Sequence, residues 1–132
     1  MKKRADVAAW VEKAEQDYEG AETLSRKRSK PVPDLVCFCC QQAAEKYLKA
    51  CLTLKKVPFA KTHDLLKLKN LLSGRVPEIE LIVDLLAFLN EFSVQYRYPG
   101  EKATMAYARR ALKAVREVRK LFALQLPGIS RK

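Results

Sequence analysis

Histidine occurs once, at position 63, in 132 residues, and that scarcity removes whole classes of chemistry. A di-iron helical bundle draws Glu-x-x-His pairs from two facing helices, which one histidine cannot supply. Long apolar runs are missing as well: no window approaches the ~20 apolar residues that cross a bilayer as a helix. In the opening MKKRADVAAWVEKAEQDYEG, Glu12, Lys13 and Glu15 interrupt any stretch that would serve as a signal peptide. The expectation is a cytoplasmic protein with reduced thiols and no membrane association. Period-two alternation, internal repeats, low-complexity tracts and long linkers are also lacking, so residues 1–132 read as a single domain without strands.

Basic residues are abundant. Lys and Arg number 26 against 15 Asp and Glu, a formal charge of +11. Such an excess favours anionic partners, whether nucleic acid, nucleotide phosphate or an acidic protein. The plainer alternative is a solvated surface, and heavy use of Lys, Arg and Glu is also a thermophile habit.

Helical periodicity runs through most of the chain. Val7, Val11, Ala14, Tyr18, Ala21 and Leu24 recur at three- and four-residue steps, predicting a first helix from about Ala5 to Lys27. Pro31-Val32-Pro33 forbids its continuation. Asp34 is the expected N-cap of a second helix, running to about Lys55 before Val57-Pro58. That helix is apolar nearly all round, with Gln42, Glu45, Lys46, Lys49, Thr53 and Lys56 confined to one stripe, as befits the hub of a bundle. Thr62 is expected to cap a short third helix carrying Leu65, Leu68 and Leu72, with Asp64 in its first turn. Pro77 suits the opening of a fourth helix, whose stripe of Ile79, Ile82, Val83, Leu86, Leu89 and Phe92 should fray near Tyr96. After the breaker Tyr98-Pro99-Gly100, a last helix spans about Lys102 to Leu126, with Arg109, Lys113, Arg116 and Lys120 opposite its apolar face. The expected fold is all-α: an antiparallel four-helix up-and-down bundle with one additional short helix.

All four cysteines, Cys37, Cys39, Cys40 and Cys51, fall within the hub helix. Adjacent helical positions point about 100° apart, whereas a zinc site needs four converging ligands. They read as core packing, with no metal site and no cofactor expected. His63-Asp64 at a helix start offers an imidazole suited to acid, base or phosphate-ligand work, or simply a surface residue that closes a turn. Arg97, between Tyr96 and Tyr98, combines a phosphate donor with two stacking rings, which suits a nucleotide or single-stranded RNA. A salt bridge beside two core tyrosines is the alternative.

Gln41-Gln42-Ala43-Ala44-Glu45-Lys46 with Leu48-Lys49-Ala50, then Thr62-His63-Asp64-Leu65, then Tyr96-Arg97-Tyr98-Pro99 closely resemble the prokaryotic HEPN family, of the nucleotidyltransferase-associated type. The likeness covers nearly the whole chain. It implies a small helical domain that dimerises, is often encoded beside a minimal nucleotidyltransferase, and binds nucleotide or, in many members, cleaves RNA. The family's ribonucleases place a histidine four to six residues after the arginine. Here Glu101, Lys102 and Ala103 follow Arg97, and no histidine lies beyond His63.

The reading is therefore a homodimeric module that binds nucleotide or RNA phosphate and pairs with a nucleotidyltransferase-like protein, without that ribonuclease dyad. Lys46, Lys49 and Arg97 would neutralise phosphate, Tyr96 or Tyr98 would stack on a base, and His63, beside Asp64, would donate a hydrogen bond. One alternative is a toxin-like ribonuclease of a toxin–antitoxin pair, using Arg97 and His63 as catalytic candidates. Another is a purely structural dimeric interaction module.

Overall fold

A computed structural model describes residues 2–93 and 102–130. Its elements are α1 (Lys2–Ser25), α2 (Pro33–Leu54), α3 (Leu65–Leu72), a 3-10 helix (Pro77–Ile82), α4 (Val83–Asn90) and α5 (Met105–Gln125). Every regular element among the described residues is a helix, with no strand. Contacts fix the directions. Asp17 meets Lys46 while Glu15, two residues earlier, meets Tyr47, so α1 and α2 run antiparallel. Arg116 reaches Glu22 and Arg119 reaches Glu15, so α5 is antiparallel to α1 as well. These directions are compatible with an up-and-down bundle.

Helix α2 is the hub. Its Ala43, Ala44, Tyr47, Leu48, Ala50, Cys51 and Leu52 are wholly buried, and its two most extensive neighbours are α1 and α5. The buried Val7, Val11, Ala14 and Ala21 of α1 and Ala111, Val115, Val118 and Phe122 of α5 close on it. Even the polar stripe is largely covered: Glu45 and Lys49 are buried, and only Lys56 is fully exposed.

Caps differ from expectation at two helices. Pro33 opens α2, so Val32 occupies the N-cap position and Asp34 falls inside the first turn. A proline at the first helical position loses nothing, since that N–H has no intrahelical partner. Asp34, relieved of capping, accepts a hydrogen bond from the Ala103 backbone N–H and ties α2 to the approach of α5. At α3 the cap is Asp64 rather than Thr62: its carboxylate accepts from the N–H groups of Leu66 and Lys67. Thr62 acts one step earlier, its Oγ1 accepting from Asp64 N–H at 3.1 Å.

The fourth helix begins as a 3-10 turn and its α-helical part ends at Asn90; the expected fraying point, Tyr96, lies outside the described residues. Helix α2 stops in a left-handed cap. Lys56 has φ 61°, with Lys56 N–H bonded to Thr53 O at 3.1 Å and Val57 N–H to Leu52 O at 2.9 Å. This is the paired pattern that usually employs glycine.

A polar cluster joins the three long helices. Arg119 of α5 grips Glu15 of α1 through two hydrogen bonds of 2.8 Å, and the hydroxyl of the fully buried Tyr47 of α2 donates to the same carboxylate. Burial alone would raise the Glu15 pKa, but Arg119 and Tyr47 outweigh it and hold the carboxyl below its usual range.

Candidate functional site

The connection from α2 to α3 brings His63 back beside the middle of α2. Its return over more than three helical turns is within reach of an extended segment, at roughly 3.4 Å per residue against 1.5 Å in a helix. Two side chains of α2 receive it. Gln41, fully buried, donates from Nε2 to the His63 carbonyl at 3.0 Å, and is itself oriented by Gln42, whose Nε2 donates to Gln41 Oε1. Glu45 lies one turn further on, its Oε1 2.9 Å from His63 Nδ1. Its Oε2 accepts from Lys49 Nζ, also at 2.9 Å.

Burial makes this arrangement chemically informative. The Glu45 and Lys49 side chains are 4% and 8% exposed, whereas that of His63 is 69% exposed. A carboxylate withdrawn from water needs partners on both oxygens, and here a cation and an imidazole supply them. With Nδ1 engaged by an acceptor, Nε2 is the nitrogen left available for a proton or a ligand. Lys49 also lies 5.5 Å from the Trp10 ring centroid, a cation–π contact that further fixes it.

The next residue anchors the site to α4. Asn90 donates from Nδ2 to Asp64 Oδ1 at 3.1 Å, and its Oδ1 accepts from Leu65 N–H at 2.8 Å. The start of α3 and the end of α4 are thereby held together, beside the histidine.

Among the residues expected at the site, His63 and Lys49 meet on Glu45, while the Asp64 side chain is taken up by the α3 cap and Asn90. Lys46 is turned to α1, where it forms an ion pair with Asp17. Both lysines, expected as phosphate ligands, are already paired: Lys49 is buried against Glu45, and Lys46 is half-buried against Asp17. Tyr96, Arg97 and Tyr98 lie outside the described residues. Gln41 enters the sequence reading only as part of the family-like motif and Asn90 not at all, because a glutamine in a helix and an asparagine at its end carry no periodic signal. The Gln41-Gln42 pair inside an apolar run is the one local sign of a buried polar contact.

The cysteines are packing residues. Burial pushes the Cys37 thiol up to about 12 and Cys51 up to about 11, and raises Cys40 as well. Protonated thiols of this kind are poor nucleophiles and poor metal ligands. Among the described residues no group of three or more His, Cys, Asp or Glu side chains is arranged to hold a metal ion.

On α5, Arg109, Arg110 and Lys113 are exposed and form no ion pair among the described residues. Arg110 lies over the Phe88 ring, 3.8 Å from its centroid, beside the half-exposed Tyr107, which stacks on Phe88 at 6.1 Å. Arg116 is committed to Glu22.

Comparison with known proteins agrees with this architecture. The crystal structure of ST0689, an archaeal HEPN homologue, is similar over 90% of this chain and 96% of that one, with a TM-score of 0.70 and 23% sequence identity. At that identity the likeness concerns the fold. No curated protein matches the sequence. The HEPN domain model matches residues 7–125, from the first buried valine of α1 to the last residue of α5, and the chain belongs to the HEPN domain family.

Proposed function

We propose that this HEPN domain binds a nucleotide or short RNA through its phosphates, as a homodimer working beside a minimal nucleotidyltransferase-like protein, and that it does so without the family's Arg/His ribonuclease dyad. The observation that carries this reading is the buried Glu45 carboxylate holding His63 Nδ1 at 2.9 Å while the ring stays mostly exposed. His63 donates from Nε2 to a phosphate oxygen. Arg97 supplies the second, bidentate cation, and Tyr96 or Tyr98 stacks on the base. Lys49 acts through Glu45, and Asp64 through its cap and Asn90, as positioning residues. Arg109 and Lys113, without an ion pair among the described residues, extend the positive surface along α5.

Calorimetric titration with ATP and with a short single-stranded RNA at low salt tests the proposal, since phosphate contacts are strongest there. Saturable binding is expected, weakened about tenfold by His63→Ala, the effect of losing one hydrogen bond to a charged group. Absence of binding by both ligands overturns it. Sedimentation at several concentrations tests the dimer.

A second reading, a ribonuclease using Arg97 with His63, has one specific support. A carboxylate-oriented imidazole is an acid–base arrangement, and its segment is bonded to Asn90, seven residues before Arg97. Cleavage of RNA by purified protein, abolished in both Arg97→Ala and His63→Ala, would establish it. RNA left intact removes it.

A further inference from the structure

A cleft of about 980 Å³ opens between the first half of α1, the C-terminal end of α2 and the turn that follows α5. Val7 and Val11 form its floor, with Leu54 at its edge, 39% exposed. The wall is different in character. Glu12, Gln16 and Glu19 lie at i, i+4 and i+7 on α1 and so share one face; all three are exposed, and none has a hydrogen bond or ion pair among the described residues. Glu15, deeper in, is already saturated by Arg119 and Tyr47. Lys56 is the one cation lining the cleft among the described residues.

An acidic wall over an apolar floor is anomalous on a chain of charge +11. Phosphates that the basic face of α5 attracts are repelled by Glu12 and Glu19, so this cleft is unsuited to nucleic acid. Its complement is a helix with an apolar ridge flanked by lysine or arginine, docking as amphipathic helices dock into grooves. We infer that the α1/α2 cleft is the docking site for a cationic amphipathic helix of a partner protein, on a face distinct from the His63 site and independent of what that site binds.

The net charge also makes the test clean, because the rest of the surface repels a cationic peptide. The probe is a fluorescein-labelled Leu/Lys peptide of about 14 residues, ~21 Å of helix, with its leucines on one face. A scrambled peptide of the same composition and a Leu/Glu peptide serve as comparators, and binding is read by fluorescence anisotropy. Saturable binding of the amphipathic Leu/Lys peptide alone is expected. The double variant Glu12→Lys/Glu19→Lys should weaken it about tenfold or more through charge reversal at the rim, as should Leu54→Asp, with His63→Ala without effect. Both glutamates are exposed helical positions that lysine suits, and circular dichroism verifies the fold.

Three results overturn the inference: no saturable binding, equal binding of the scrambled peptide, or affinity unchanged in the double variant. Self-association of the chain that disappears in Glu12→Lys/Glu19→Lys would assign the cleft to a second copy and equally refute a partner helix. RNA binding lost in that variant would refute it too.

Discussion

His63 Nδ1 lies 2.9 Å from Glu45 Oε1, and the other oxygen of that carboxylate accepts from Lys49 Nζ at the same distance. One buried acid thus neutralises a buried lysine and orients an exposed imidazole. Glu45→Gln strands the lysine charge in the core, which costs about 3–5 kcal/mol when a buried pair loses one partner. Urea unfolding should register that loss, and Glu45→Gln/Lys49→Met should recover much of it. A double variant as unstable as the single one would mean that the lysine charge is not the source of the loss.

The Glu15–Arg119 pair predicts a pH dependence. Burial raises the Glu15 pKa, but the Arg119 and Tyr47 hydrogen bonds and the arginine charge bring it below 4.5; Glu22 is lowered likewise, chiefly by its hydrogen bond from Arg116. A depressed folded-state pKa contributes stability that is full above the unfolded value near 4.5 and lost as pH falls through the lower folded value. Glu15→Gln should therefore cost about 1–3 kcal/mol at pH 7. The gap from the wild type should narrow only below pH 4.5, as followed by denaturant titrations across the acid range.

Asp64 and Asn90 form one unit. Loss of an N-cap costs about 0.5–2 kcal/mol, so Asp64→Ala should lower stability by that amount. Because Asn90 donates to the same carboxylate oxygen that caps α3, Asp64→Ala and Asn90→Ala should be less than additive in a double-mutant cycle. Strict additivity would show that the two residues act separately.

Two backbone positions should tolerate opposite substitutions. Gly20 lies within α1, and a Cβ built on it meets Cys39 Sγ at 3.9 Å, an ordinary contact. Gly20→Ala should stabilise by about 0.5–1 kcal/mol through helix propensity and a more restricted unfolded chain. Lys56, with φ 61°, carries the left-handed penalty, and Lys56→Gly should relieve about 1 kcal/mol of it. Thermal melts of the two variants, both shifted upward, check the pair.

Much of the fold was legible because periodicity is a local property. The steps of Val7, Val11, Ala14 and Ala21, and of Ala111, Val115, Val118 and Phe122, place α1 and α5 without reference to any other element, and the nearly apolar circumference of α2 marks it as central. The motifs Gln41–Ala50, Thr62–Leu65 and Tyr96–Pro99 are legible for the same reason: each is a pattern of types and spacings along the chain.

The site was legible only in part. His63 was identifiable as the sole imidazole, but its partner Glu45 stands 18 residues away, and Gln41 and Asn90, which fix its backbone and its neighbour, stand on two other elements. Lys46 and Lys49 look like phosphate ligands as letters on a helix; packing gives one to Asp17 and buries the other beside Glu45.

Caps divide along the same line. Pro33 and Asp34 are each suited to a helix start, and so are Thr62 and Asp64, so local chemistry allows either register. The tertiary contacts of Asp34 with Ala103 and of Asp64 with Asn90 coincide with the register adopted. Which segments are helical and which faces are apolar follows from neighbours within a few residues, and so can be read along the chain. Which polar groups are paired and which are buried depends on the packing of distant elements, because a buried charge is tolerated only where such an element supplies its partner.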